Sequence, residues 1–341
     1  RQYGRVFLKF HDPVTYTELK ELAGEEEDLT SFIGNHIVKK INEIIIVAPF
    51  AATSTALILC DQKGFTKTEA LVNMKKMVQF LKYVNAPISD VLHNEENFPE
   101  VMHHVIESFN RDHAIVPVDD KIEKSKKFND DTELYIHEED RARINIYKNN
   151  IIHYLLPIAF ISISILHEAP AITKGGVVNA FNYLKNIFSK EFIFSELMND
   201  SERVQSVAFD YLAKNNTISL NADNQTITII NRSDLVLYSH LIQEFIESYF
   251  AAFSAMNTVR KRERKELVHD IRLIGSKIYQ MNEIKMIESL SLPNYNNALD
   301  KCAELGVIKE VKQEKKSTIE IINVQKILEF KNEIKKFLSA L

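Results

Sequence analysis

The 341-residue chain predicts a predominantly α-helical fold with small β-hairpins, joined by long helices. Apolar residues recur at helical spacing through most of its length, short β-branched runs follow pairs of such helices, and only eight glycines occur. That scarcity also removes function classes: the G-x-G-x-x-G, G-x-x-x-x-G-K-[ST] and G-x-S-x-G patterns are absent. Dinucleotide enzymes, P-loop NTPases and esterases built on the nucleophile elbow are therefore set aside. An apolar share of 45% with 26% charged residues is that of a globular protein. The length exceeds what one core usually supports, so two or three domains are expected. A net charge of −5 argues against an overall nucleic-acid footprint. Cys60 and Cys302 stand far apart in apolar helical contexts, which predicts free thiols in a reducing compartment.

In order along the chain, residues 6–10 form a short β-like run that Asp12-Pro13 breaks. The chain opens on Arg1-Gln2-Tyr3 just before that run, as a piece of a longer protein would. Acidic residues 25–28 open a helix, and the helical pattern of residues 31–46 ends or kinks at Pro49. One arrangement then recurs three times. Leu71, Met74, Val78 and Leu81 share a helical face, a second helix near Pro99 aligns Val101 with Val105, and β-like runs follow at 114–118 and 134–136. In the second copy Val177, Phe181, Leu184 and Phe188 make the first face and Val204, Val207 and Tyr211 the next. Residues 218–220 and 226–230 then flank the turn 221–224. In the third, Ala298, Cys302 and Leu305 precede the helix stop Gly306, and residues 307–311 and 318–322 enclose the turn 313–316. Helices followed by a hairpin describe winged-helix-like modules, since so short a hairpin must lie against helices to be stable. Long helices over 142–166 and 235–276 are expected to join them.

Residues 44–60 and 151–166 hold no Asp, Glu, Lys or Arg, in runs of 17 and 16. Both are shorter than the roughly 20 residues of a spanning helix, so no transmembrane segment is assigned. The dense basic run 260–265 reads as a solvated helix face or a membrane-surface contact on a linking helix. The second helices of the modules carry few Arg, Lys, Asn or Gln that could read bases, so no nucleic-acid partner is expected.

A direct search for chemistry finds no metal or cofactor pattern. His103-His104 with Glu107, and His137-Glu138-Glu139-Asp140, do not match H-E-x-x-H, and adjacent histidines point about 100° apart on a helix. The paired carboxylates at 25–27, 119–120 and 130–131 read as solvated runs.

The most specific segment is Tyr147-Lys148-Asn149-Asn150-Ile151-Ile152-His153-Tyr154-Leu155-Leu156-Pro157. Together with Gly4-Arg5-Val6-Phe7-Leu8-Lys9-Phe10 before Pro13-Val14, the block of Ile41-Asn42, Val47, Pro49 and Ala56-Leu57-Ile58-Leu59, and Phe245-Ile246-Glu247-Ser248-Tyr249-Phe250, it resembles the carboxyl-terminal half of the bacterial membrane-bound and mitochondrial glycerol-3-phosphate acyltransferases. Two departures stand out. This chain has His11-Asp12-Pro13 where the family usually shows Gly-Glu-Pro, and Glu247-Ser248-Tyr249-Phe250 where relatives often carry Glu-x-Tyr-Trp.

The resemblance implies transfer of an acyl group from coenzyme A or acyl carrier protein to the first hydroxyl of glycerol 3-phosphate. A His with an Asp five positions on acts as general base in that family. None of the eleven histidines here has that Asp, and no Phe-x-Glu-Gly-x-Arg phosphate segment occurs. No catalytic or substrate-binding residue is therefore carried over, and the chain alone is expected to be catalytically silent.

The resemblance marks residues 1–30 as the closing strand and edge of an incomplete α/β acyltransferase domain; the helix and hairpin pattern divides the rest into a helical module with hairpin (31–140), a helix plus winged-helix-like module (141–234), and long helices plus a winged-helix-like module (235–341). Tyr147, Asn149, Asn150, His153, Glu247 and Tyr249 are motif residues for which a structural role is favoured. His153 is expected half-buried and the asparagines at a helix start, bonding backbone. The expected partners are an upstream acyltransferase domain, a membrane surface met peripherally from the cytoplasmic side, and an acyl-CoA or acyl carrier protein donor. Two rival readings stand beside this one. The first is a tandem winged-helix scaffold or regulator binding protein or nucleic acid; the second is a family member that uses dihydroxyacetone phosphate.

Overall fold

In the computed structural model, which describes residues 7–24, 28–60, 62–119, 129–221, 225–313 and 316–341, the chain is mostly helical with small antiparallel sheets. It separates into two compact units. The first holds residues up to 155 and 193–199, and the second residues 156–192 and 200–341.

In the first unit, residues 7–15 form neither strand nor helix, contrary to the expected closing strand. Leu8 is 79% and Phe10 88% exposed, and no strand among the described residues pairs with this stretch. Residues 1–6 of that expectation, and the acidic residues 25–27, lie outside the described residues. Helix α1 (Tyr16–Ala23), which the apolar pattern does not reveal, is started by a capping box: the Thr15 hydroxyl accepts the Glu18 amide, and the Glu18 carboxylate accepts the Thr15 amide. Helix α2 (Leu29–Ile44) is capped by Asp28, which accepts the Ser31 amide at 3.1 Å. None of its residues is buried. Pro49 occupies the first position of α3 (Pro49–Ile58), so it opens a helix where its missing N–H costs nothing.

From α3 onward one topology occurs three times: helix, short strand, two helices, hairpin, with the first strand beside the last. In the first unit α3 leads to Phe65, which bridges Leu134; α4 (Lys67–Tyr83) and α5 (Phe98–Arg111) follow, then β1 (Ile115–Pro117) and β2 (Leu134–Ile136). Helix α6 (Glu138–Asn149) packs back on α3.

The second unit contains the other two copies. One runs from α7 (Ile152–His167), whose first four residues belong to the first unit, through Thr173, bridged to Thr226, into α8 (Lys174–Ile187). After the short α9 (Glu196–Asn199), which belongs to the first unit, it continues with α10 (Ser201–Lys214), β3 (Ile218–Leu220) and β4 (Ile227–Ile229). Helix α11 (Arg232–Ser239) leads to the last copy: α12 (Gln243–Met256), β5 (Lys261–Glu263), α13 (Arg264–Gln280), α14 (Leu292–Glu304), β6 (Ile308–Gln313) and β7 (Lys316–Ile321), closed by α15 (Val324–Ser339). Its three strands run in the order β5-β7-β6. The predicted hairpins are present, with Ile115 opposite Ile136, Ile218 opposite Ile229 and Ile308 opposite Ile321. Turn residues 222–224 and 314–315 lie outside the described residues.

Each copy turns from its third helix into its hairpin through one left-handed residue: His113 (φ 58°), Asn216 (φ 54°) and Gly306 (φ 67°). The next amide reaches back five residues, from Ala114 to Phe109, Thr217 to Leu212 and Val307 to Cys302, at 3.0, 2.8 and 2.9 Å. These bonds satisfy carbonyls that a helix end leaves open.

Both long linking helices differ from expectation. The first breaks at residues 150–151 into α6 and α7. The second breaks into α11, α12 and α13, with β5 between the last two. Asn149-Asn150 mark the first break and Asn257-Thr258 the one after α12, residue types whose side chains compete for backbone groups and weaken a helix interior. The basic run 260–265 is therefore split between β5 and the first residues of α13, and does not lie on one linking helix. Arg262 pairs with Asp270 at 3.0 Å, Arg264 with Glu310 at 3.0 Å and Asp300 at 2.8 Å, and Lys316 of β7 with Glu263. Among the described residues no single helix is long and apolar enough to cross a membrane; α6 and α7 pass on composition only when joined across their break.

Candidate functional site

The candidate residues gather at two places, one in each unit. The first is the corner where α6 ends and α7 begins. Asn149 is the last residue of α6 and Asn150 its cap; both are exposed. They thus end a helix, where the sequence reading has them start one. Tyr147, on α6, lies against Phe50 (ring centroids 5.6 Å) and Phe109 (6.0 Å), tying α6 to α3 and α5. Lys148 beside it is fully buried.

His153, in the first turn of α7, is 8% exposed, more enclosed than expected. Its Nε2 lies 2.9 Å from the Asn42 carbonyl. Burial holds the imidazole down to about 4, so it is neutral at pH 7, and the tautomer that fits the carbonyl carries its proton on Nε2. The Tyr154 hydroxyl shares its one hydrogen between the same carbonyl, at 2.7 Å, and the Ile45 carbonyl, at 3.0 Å. Burial, with Glu43 nearby, holds that phenol above its ordinary range. Asn42 and Ile45 lie at the end of α2, where carbonyls have no amide partner within the helix. The motif therefore caps a helix that is distant in sequence, and an imidazole so engaged is poorly placed to act as a general base.

The second place is on α12. Glu247 is 1% exposed and accepts the Lys285 amide (3.0 Å), the Met286 amide (2.8 Å) and the Gln243 side-chain amide (2.7 Å). Burial pushes it up to about 7, against the pull of those hydrogen bonds. The Tyr249 hydroxyl lies 3.4 Å from Glu191 Oε2, which also accepts from Asn297 at 3.0 Å. Glu191 is likewise pushed up to about 7, by burial first and by the nearby Glu244 carboxylate. Glu247 anchors a loop, and Tyr249, edge-on to Phe188 at 4.8 Å, anchors α8.

The structure adds Tyr154, Gln243, Glu191 and Asn297 to the candidates. Tyr154 had a signal, a phenol on an otherwise apolar helix start; the others had none. On α5 the His103 side chain pairs with Glu107 at 3.2 Å, and His104 with Glu100 at 3.5 Å and with Glu107 at 4.0 Å. No group of three metal-ligating side chains forms among the described residues. An open cleft of about 520 Å³ in the second unit, lined by His167, Arg232, Lys335 and Lys336 among others, contains none of the candidates.

The glycerol-3-phosphate acyltransferase C-terminal region matches residues 1–311. The chain is 23% identical to a glycerol-3-phosphate acyltransferase of Pasteurella multocida (strain Pm70), over 92% of this chain and 38% of that protein. It is 22% identical to the Histophilus somni (strain 129Pt) protein of the same name, over 84% of this chain and 36% of the relative. A Shewanella baltica (strain OS155 / ATCC BAA-1091) protein of that name is 19% identical over 90% of this chain and 38% of its own length. The chain thus spans under two fifths of the curated relatives it matches. With both motif segments inside the matched residues, the chain belongs to the family of glycerol-3-phosphate acyltransferase C-terminal regions.

Proposed function

We propose that residues 1–341 are the non-chemical C-terminal part of a longer glycerol-3-phosphate 1-O-acyltransferase. The longer protein transfers acyl groups from coenzyme A or acyl carrier protein, the first step of phospholipid synthesis. The chain packs against the acyltransferase domain and helps seat the enzyme peripherally on the cytoplasmic side of a membrane. One observation carries this reading: half of the exposed large apolar side chains among the described residues lie within residues 7–41. They include Phe10 and, on one side of α2, Ile37 (48% exposed), Val38 and Ile41 (48%). Exposed apolar side chains concentrated in one segment mark a contact site. The absence of an H-x4-D pattern and the capping role of His153 support catalytic silence.

The test is an acylation assay of the purified chain with glycerol 3-phosphate and an acyl thioester, beside the reading frame upstream of Arg1. No turnover and an upstream H-x4-D segment are expected; turnover by residues 1–341 alone would overturn catalytic silence. Assaying the longer product with dihydroxyacetone phosphate separates the two acceptors. The threefold topology favours a second reading, tandem winged-helix-like modules acting as a scaffold. Salt-dependent retention on duplex DNA, without binding to liposomes, is its signature, and the ion pairing around β5 weighs against it.

A further inference from the structure

The family motif around His153 has no chemical task in the reading above, yet its polar groups converge on one place. We infer that His153 and Tyr154 form a carbonyl clamp that sets the direction of α2 and so presents its apolar side for docking. They are positioning residues, not catalytic ones. The clamp stands on geometry in the first unit; only its use rests on the reading of α2 as the helix that meets the acyltransferase domain.

Helix α2 needs such a device. A helix of 16 residues with none buried gains little from packing and is stable only if its ends are held. Its side-chain ties elsewhere are modest: Lys39 pairs with the exposed Glu196 at 3.3 Å, and Glu43 with Lys40 within the helix and with His11 at 3.6 Å. Beyond its end, Val47 is pinned by backbone bonds from its amide to Pro87 and from the Ser89 amide to its carbonyl. That bridge fixes where the chain passes and leaves the helix axis free to swing. The clamp removes that freedom. The Asn42 carbonyl meets both donors, and the single Tyr154 hydroxyl hydrogen is shared between it and the Ile45 carbonyl, so two carbonyls three residues apart are held against the start of α7. The aromatic cluster of Tyr147 with Phe50 and Phe109 fixes the clamp to α3 and α5. Gly34, Ile37, Val38 and Ile41 then face open space, and a Cβ added at Gly34 would meet nothing within 4 Å. The occupant of that space is the acyltransferase region, because the relatives carry more than half of their length outside the matched part, and the part shared with this chain is their C-terminal region.

The test is hydrogen exchange of the full chain, comparing Tyr154→Phe, His153→Met and His153→Gln with the parent sequence. Amides of residues 33–45 are expected to exchange about tenfold faster in Y154F and H153M, each of which removes a donor. H153Q, whose side-chain amide can replace the Nε2 donor, is expected to restore protection, which a merely space-filling role would not predict. Amides of α4 and α5 serve as the internal control and are expected to be unchanged. Unchanged exchange over α2 in both Y154F and H153M would overturn the clamp. The docking reading fails separately: Y154F that loosens α2 yet leaves acyl transfer by the longer protein intact would sink docking and leave the clamp standing.

Discussion

Around His153, side chains give protons to the carbonyls at a helix end; around Glu247, a side chain takes them from the amides of a loop. Both segments belong to the same family resemblance, and both bind a distant backbone segment to a helix. They differ in what is left behind when the side chain is removed. Asn42 is only half-buried, so water can reach its carbonyl. The Met286 amide and the Gln243 side chain are enclosed, and without Glu247 they have nowhere to turn. A buried donor left unpaired costs more than the bond it loses was worth. The second unit is therefore the more brittle of the two at its motif.

That difference can be broken by substitution. Glu247→Ala is expected to destabilise the second unit by about 3 kcal/mol in a denaturant titration, the largest effect here, with Glu247→Gln milder because one acceptor oxygen remains. His153→Ala is expected to cost the first unit about 2 kcal/mol, and Tyr154→Phe about 1 kcal/mol, by the same measurement. Equal losses at Glu247 and His153 would contradict the argument from water access.

Acidity sharpens the contrast, since the two sites run in opposite directions. His153 titrates lower in the folded state, about 4 against an ordinary 6.5, so its contribution is complete above 6.5 and lost as pH falls towards 4. Glu247 and Glu191 titrate higher when folded, about 7 against 4.5, so theirs is complete below 4.5 and lost as pH rises to 7. Moving from pH 7 to pH 5 is expected to weaken the first unit and strengthen the second, where the two carboxyls outweigh His240, an imidazole that burial also holds down to about 4. Urea unfolding followed by methyl resonances of each unit checks this; parallel shifts would show that other groups dominate.

The smallest effects concern the left-handed turns. Gly306→Ala is expected to cost about 1 kcal/mol, whereas His113→Gly gains about 0.5 kcal/mol by relieving an unfavourable backbone at the equivalent turn of the first unit. Thermal melts would resolve the two signs.

The elements legible in the sequence are those with local patterns. The three hairpins alternate apolar and polar residues, and helices α4, α8 and α14 show their faces at helical spacing, so each could be placed within a few residues. The strand that precedes the second helix of each copy was not legible. Phe65 and Thr173 are single bridges, and Lys261-Arg262-Glu263 shows no apolar alternation. Helix α1 carried a readable sign, Thr15 three residues before Glu18, repeated by Thr66 and Glu69 at α4. At the candidate site, His153 and Glu247 were singled out by resemblance. Their partners lie 111 and 39 residues away in the chain, and no local pattern announces a backbone group.

Strand β5 has one further consequence. It lies at the outer side of its small sheet, where unpaired backbone could recruit a strand from another molecule. Three successive charged side chains occupy that margin, and an incoming chain would have to strip water from Lys261 and Arg262. Their positive charge thus disfavours the addition of a further strand at this edge.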